Sequence, residues 1–332
     1  MPSVTVLVTG GAGYIGSHAA LALLAAGHRV VVLDDLTTGR RELVPAEAEF
    51  VAGDAGDSLL VDQVLDARRV DAVMHFAGSI IVEDSVKDPL AYHRNNVSGS
   101  RNLIESCVKA GIGRFIFSSS AAVYGVPATL PVPESAPLLP INPYGGSKVM
   151  TEWMLRDVEQ AHGMRHIALR YFNVAGADAG LRSGESVPKA THLVKLACLH
   201  AIGLRDQVSV FGTDYPTPDG TCVRDYVHVA DVAGAHVAAL DHLMSGGASD
   251  AFNVGYGRGQ SVREVLDCAN RICGGRLVIR DAARRPGDPP SLVADARRIA
   301  SELGWRPQHE DLELIVRSAL AWERHLHGRV AA

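Results

Sequence analysis

Apolar residues in the first half of the chain fall into short, unbroken, β-branched runs, and longer stretches with helical apolar spacing separate them. VTVLVTG (4–10), HRVVVLDD (28–35), EFVAGD (49–54), VDAVMHFAG (70–78), RFIFSSS (114–120) and RHIALRYFN (165–173) read as six strands. GYIGSHAALALLAAG (13–27), closed by Gly27, reads as a helix. So do DPLAYHRNNVSGSRNLIESCVKAG (88–111), closed by Gly111, and a segment from about Pro143 to His162. Strands that are apolar on both sides, alternating with helices, predict an α/β fold: a doubly wound parallel sheet covered by helices on both faces.

Beyond residue 174 the pattern changes. THLVKLACLHAIG (191–203) is helical, QVSVFG (207–212) is a short strand, and the loop TDYPTPDGT (213–221) follows. VRDYVHV (223–229) leads into the helix VADVAGAHVAALDHL, and DAFNVG (250–255) is a strand able to rejoin the first sheet. SVREVLDCANRI (261–272) opens on Ser261 with Glu264 three residues on, a capping box. The expected division is therefore 1–174 as a core domain, which also receives a strand and helix near 225–255, and 175–332 as a smaller α/β C-terminal lobe. VPATLPVPESAPLLPINP (126–143) holds six prolines and lies between two core elements, so an ordered irregular excursion is expected there. The sequence contains no internal repeat.

Composition narrows the function classes. The chain has 332 residues, 47% hydrophobic and 21% charged, with a formal net charge of −5 and no Lys/Arg block. Nucleic acid and anionic membrane are therefore poor partners. No apolar run approaches the ~18 residues of a membrane span. MPSVTVLVTG lacks a basic, long-apolar leader and reads as a strand rather than a secretory signal. Cys107, Cys198, Cys222, Cys268 and Cys273 are odd in number and form no CxxC pair, which suits free thiols in a reducing cytoplasm. Fourteen histidines invite a metal, but HExxH is absent and no Cys/His cluster has zinc spacing. His162 and His166 are split by Gly163. No metal site is expected.

The first strand–helix turn reads TGGAGYIGSH, with Gly10, Gly13 and Gly16 in GxxGxxG spacing. Glycines there let the turn close and let backbone N–H groups approach a pyrophosphate at the helix N-terminus. The second strand ends in Asp34, where a carboxylate meets the adenosine ribose hydroxyls and repels a 2′-phosphate, favouring NAD over NADP. Strand, glycine turn, helix and acidic strand end together make the sheet Rossmann-type. Tyr144 and Lys148 in PYGGSK stand one helical turn apart. A free phenol has a pKa near 10, and an adjacent ammonium together with an oxidised nicotinamide would stabilise the phenolate as a base. Ser118–Ser120, at the end of the fifth strand, bring hydroxyls to the same mouth of the sheet.

TGGAGYIG, SSSAAVYG, PYGGSK and RYFN resemble the extended short-chain dehydrogenase/reductase family. FGTDYPTPDGTCVRDYVHV (211–229) and RRPGDPP (284–290) are similar to the UDP-glucose 4-epimerase group in particular, and the match runs over essentially the whole chain. The resemblance implies an NAD-dependent isomerase that interconverts UDP-glucose and UDP-galactose through a transient 4-keto sugar, with no net redox. It also implies a homodimer. Tyr144 would be the base, Lys148 would tune it and hold the nicotinamide ribose, and Ser120 would bond the sugar oxygen. Gly10, Gly13, Tyr14, Ile15 and Gly16 would bind the cofactor, and Asp34 would hold its adenosine ribose. Asp54 and Ala55 would lie near the adenine, Phe76, Ala77 and Asn95 would line the NAD channel, Ser118 would bind the cofactor, and Tyr171 would sit by the nicotinamide. Asn173, His192, Phe211, Arg224, Arg285 and Asp288 would take the UDP: the arginines the diphosphate, Phe211 the uracil and Asp288 a uridine ribose hydroxyl.

Three positions depart from relatives. Ile80 stands where many carry a lysine, His192 where some carry asparagine, and Leu292 where bulk restricts N-acetylated sugars. Acceptance of UDP-N-acetylglucosamine or UDP-xylose is therefore open. Dehydratases and decarboxylases of similar fold need an acid after the SSS strand, where this chain has Ala121 and Ala122. A non-catalytic NAD-binding sensor is the remaining alternative, and retention of Tyr144, Lys148 and Ser120 speaks against it.

Overall fold

The computed structural model describes residues 2–328 other than 188, 190, 286 and 287. The first half runs β1 (Thr5–Thr9), α1 (Tyr14–Ala25), β2 (Arg29–Asp34), β3 (Glu49–Ala52), α2 (Ser58–Arg68), β4 (Ala72–His75), α3 (Val82–Lys87), α4 (Pro89–Tyr92), α5 (Gly99–Lys109), β5 (Arg114–Ser120), α6 (Pro143–His162) and β6 (Arg165–Tyr171). The second half runs β7 (Asn173–Ala175), α7 (Leu193–Ala201), β8 (Val208–Phe211), β9 (Val223–His228), α8 (Val229–Met244), β10 (Asp250–Val254), β11 (Gly259–Ser261), α9 (Val262–Ile272), β12 (Ile279–Ala282), β13 (Ser291–Leu292), α10 (Arg297–Glu302) and α11 (Leu312–Leu326).

Seven strands form one parallel sheet in the order β10-β6-β5-β4-β1-β2-β3. Val6, Leu7 and Val8 of β1 are wholly buried, as a strand covered on both faces must be. One face packs Ala20, Leu23, Val232 and Leu240 from α1 and α8. The other packs Val61, Val64, Leu103 and Leu155 from α2, α5 and α6. The strand order reverses between β1 and β4, so a crevice opens at their carboxyl ends, the usual ligand position in such sheets.

The expected strands and the 143–162 helix occur where the patterning put them, and the sheet is the doubly wound Rossmann type. Asn142 caps α6 by accepting from Gly145 N at 2.8 Å, and Pro143 occupies its first turn. The helix expected over 88–111 runs without a gap from Pro89 to Lys109 but is not α-helical throughout. A π-turn spans His93–Ser98 between α4 and α5. The buried amide of Asn96 accepts from Ser79 N at 2.8 Å and donates to Ser79 O at 2.9 Å and Ser147 Oγ at 3.1 Å. A side chain committed to those partners fixes its own backbone, and a widened turn accommodates it.

After β6 the chain leaves the large sheet. β9 pairs with β7, β11 and β13, and β12 pairs with β8. β10 returns to the large sheet, and α8 and α10 pack on it through Val232, Leu240 and Ile299; the strand over 223–228 stays in the small sheet. Buried Asp225 holds it there, its carboxylate accepting from the backbone of Tyr256 and Gly257 at 2.9 Å each and of Ala294 at 3.2 Å. The proline-rich excursion is ordered: Val132 is wholly buried and bridges Ala294. The capping box of Ser261 and Glu264 is present.

Candidate active site

The glycine turn closes β1 onto α1 at the crevice. Gly10 adopts φ +71°, and a Cβ there would stand 2.5 Å from Ala77 N; a Cβ on Gly16 would collide with the Gly10 carbonyl. Only glycine lets the turn pass this close to the Phe76–Ala77 peptide. Asp34 accepts from Ala12 N at 2.9 Å and Leu36 N at 2.8 Å. Burial raises its pKa, and those backbone bonds oppose the rise. Tyr14 donates to Gly176 O at 2.6 Å, tying the turn to the loop after β7, while Ile15 packs on the core. Asp54 accepts from Gly56 N at 2.7 Å, with Ala55 buried beside it. A bare-backbone turn at a helix start with a carboxylate across from it suits a dinucleotide pyrophosphate and ribose.

Tyr144, Lys148, Ser118, Ser120 and Tyr171 meet at the ends of β5 and β6, where Ser120 pairs with Tyr171 in register. Lys148 is 5% exposed, and its Nζ donates to Ser118 O at 2.8 Å. That nitrogen lies 5.0 Å from the Phe117 ring centroid and 5.7 Å from that of Tyr144. Burial pushes the Lys148 pKa down to about 8, with Glu152 pulling the other way. Burial also raises the Tyr144 pKa, opposed by a hydrogen bond with Ser120. In the protein alone the phenol is therefore held neutral, not acidified by the lysine as its spacing suggests. Desolvation acts directly on the phenol, whereas the ammonium stands 5.7 Å from its ring centroid.

Behind the lysine lies a polar layer that sequence reasoning did not single out. Glu152 continues the Tyr144–Lys148 face one further turn along α6. It accepts from Arg170 at 3.0 and 2.6 Å and from Ser119 at 2.5 Å. Arg170 also donates to Tyr124 at 2.9 Å. Recurrence at every fourth residue was the available signal for Glu152. Asn96 is a second missed residue: Asn95 is exposed and donates to Ser79 Oγ at 2.8 Å, while Asn96 joins the loop after β4 to α6. Ile80, where a lysine was the alternative, is exposed.

In the lobe, the Arg285 guanidinium lies 3.8 Å over the Phe211 ring. Arg224 stands 3.7 Å from Asp288 and pairs in register with Leu292. Asn173 opens β7 opposite Tyr226 of β9. His192 precedes α7 and bonds Glu185 at 2.6 Å; the glutamate's charge raises the imidazole pKa. No direct bond joins His192 to Arg224 or Arg285 among the described residues.

The pattern that defines the NAD dependent epimerase/dehydratase family matches residues 6–255, through the whole large sheet and its returning helix and strand. The chain belongs to the NAD dependent epimerase/dehydratase family. Within this family it is 57% identical over 328 residues to the UDP-glucose 4-epimerase of Azospirillum brasilense, covering 99% of this chain and 94% of that one. It superposes on the crystal structure of UDP-glucose 4-epimerase from Brucella ovis in complex with NAD with a TM-score of 0.93. That pair shares 45% identity over 96% of this chain and 98% of the other. The Bifidobacterium longum UDP-glucose 4-epimerase in complex with NAD+ and UDP gives a TM-score of 0.92 at 36% identity, covering 98% and 100%. Among the described residues, no helix is long and apolar enough to cross a membrane.

Proposed function

We infer that this member of the family is an isomerase, an NAD-dependent UDP-glucose 4-epimerase that interconverts UDP-glucose and UDP-galactose. The observation that carries the reading is the Tyr144–Lys148–Ser120 cluster, which stands at the carboxyl ends of β5 and β6 on the sheet that also carries the glycine turn. Bound NAD supplies a hydride acceptor and donor at C4 and a positive ring that favours the phenolate. The turn from Gly10 to Gly16 offers its backbone N–H groups to the pyrophosphate, and Asp34 accepts from the adenosine ribose. Lys148 keeps two ammonium hydrogens beyond the one given to Ser118, enough to hold a ribose.

Tyr144 takes the proton of the sugar 4-hydroxyl and later returns one to the same oxygen, with Ser120 sharing the hydrogen bond. Residues 1–174 hold the cofactor and 175–332 hold most of the UDP. Arg224 and Arg285 grip the diphosphate, and guanidinium forks suit its oxygens. Asn173, Phe211 and Asp288 contact the rest of the nucleotide. An anchor away from the reacting carbon lets the sugar turn over without leaving.

Purified protein given UDP-galactose without added NAD is expected to form UDP-glucose, and the reverse reaction to reach the same product ratio. UDP-N-acetylglucosamine and UDP-xylose in parallel are expected to react more slowly. Absence of product from every nucleotide sugar, with NAD demonstrably bound, would leave a binding protein rather than an enzyme.

A further inference from the structure

Helix α8 carries a wholly buried histidine, His236, to which the site described above gives no role. Its Nδ1 lies 2.8 Å from the Val232 carbonyl oxygen. A carbonyl can only accept, so Nδ1 carries the proton. Burial lowers the imidazole pKa to about 4, so the ring is neutral and Nε2 is left as an acceptor. The group facing Nε2 is the Tyr171 hydroxyl, 2.9 Å away, which therefore donates to it. The Tyr171 oxygen is bonded in turn by the Ser118 side chain, and the Ser118 carbonyl takes the Lys148 ammonium. The Phe76 ring packs on the same imidazole with centroids 4.6 Å apart. Phe76 of the NAD channel, in the loop after β4, and Tyr171 of the nicotinamide side, at the end of β6, thus rest on one ring.

We propose that His236 is a positioning residue for the cofactor: by accepting the Tyr171 hydroxyl through Nε2 and backing Phe76 with its ring, it fixes the wall against which the nicotinamide lies. This rests on the cofactor reading above. It differs from an ordinary core histidine in one testable respect. A core histidine is needed for volume and for its Nδ1 bond, whereas the positioning role is needed for Nε2. The amide oxygen of glutamine reaches the Nε2 position; asparagine reaches only as far as Nδ1. Phenylalanine fills the volume and offers neither.

The experiment compares His236→Phe, His236→Gln, His236→Asn, Tyr171→Phe and the double variant H236F/Y171F, each purified as holoenzyme. Turnover and KM with UDP-galactose, NAD retained after gel filtration, and melting temperature are measured. H236F is expected to lower kcat roughly tenfold, the scale of an unpaired buried hydroxyl, with KM unchanged and NAD retention reduced. H236Q is expected to restore both, and H236N to behave like H236F. The double variant is expected to be no worse than H236F, because both partners of one bond are gone. Rescue by asparagine but not glutamine, additive losses in the double variant, or a lowered melting temperature with unchanged kcat and NAD retention would overturn the proposal. If H236F does not fold, the glutamine–asparagine contrast still decides. NAD retention also reads out if UDP-galactose proves not to be a substrate, which separates this failure from that of the functional reading.

Discussion

Tyr144→Phe is expected to bind NAD and UDP-galactose as the parent does and to lose about three orders of magnitude in kcat, within the range assigned to a positioned acid–base group. That loss corresponds to about 4 kcal/mol of transition-state stabilisation. Among the described residues no bond joins the phenol to a diphosphate anchor, so KM should change little: Arg224 and Asp288 face each other in the lobe, and Arg285 lies over Phe211. Ser120 remains in the variant, but its hydroxyl alone is a poor base at neutral pH. Steady-state kinetics, with the bound nucleotide quantified by absorbance, check the outcome. A folded variant within tenfold of parental turnover would remove Tyr144 from the mechanism.

Lys148→Met should show the opposite signs in activity and stability. Turnover is expected to fall about a hundredfold, because the nicotinamide ribose loses the donor that orients it. Stability at pH 7 should rise. The Lys148 pKa is lowered from its ordinary 10.5 to about 8 by burial. Below pH 8 the folded protein therefore carries a buried ammonium at a cost of about 3 kcal/mol, taking 1.36 kcal/mol per unit. Arg170 already neutralises Glu152, so loss of the lysine strands no carboxylate. As pH rises from about 8 to 10.5 the ammonium deprotonates more readily in the folded state than in the unfolded one. The parent should then close the gap on the variant. Chemical unfolding of both proteins at pH 7 and pH 10 measures this. A variant both slow and less stable at pH 7 would make Lys148 a structural residue.

Much of this arrangement could be read from residues alone, for identifiable reasons. β5 and α6 coincide with their sequence boundaries because an apolar run ends in three serines and because Asn142–Pro143 is a strong helix start. The π-turn at His93–Ser98 could not be read: it depends on Asn96 reaching Ser79 and Ser147, contacts distant in sequence. α2 was readable, with Asp57 capping its first turn and Val61, Val64 and Leu65 at helical spacing, but its mixed surface hid it. His236 carried no signal at all, since one histidine on an apolar helix face looks like any core residue. The spacing of Tyr144 and Lys148 brought the two side chains together as the structure has them, but it suggested an acidified phenol, because spacing shows proximity and not desolvation.

In this mechanism hydrogen leaves C4 of the sugar and returns to that carbon without exchanging with water. UDP-galactose deuterated at C4 tests it most directly, with protein supplied in water without added NAD and the product analysed by mass spectrometry. The account predicts UDP-glucose that keeps its deuterium at C4 through many turnovers. Product carrying solvent hydrogen at C4 would contradict it.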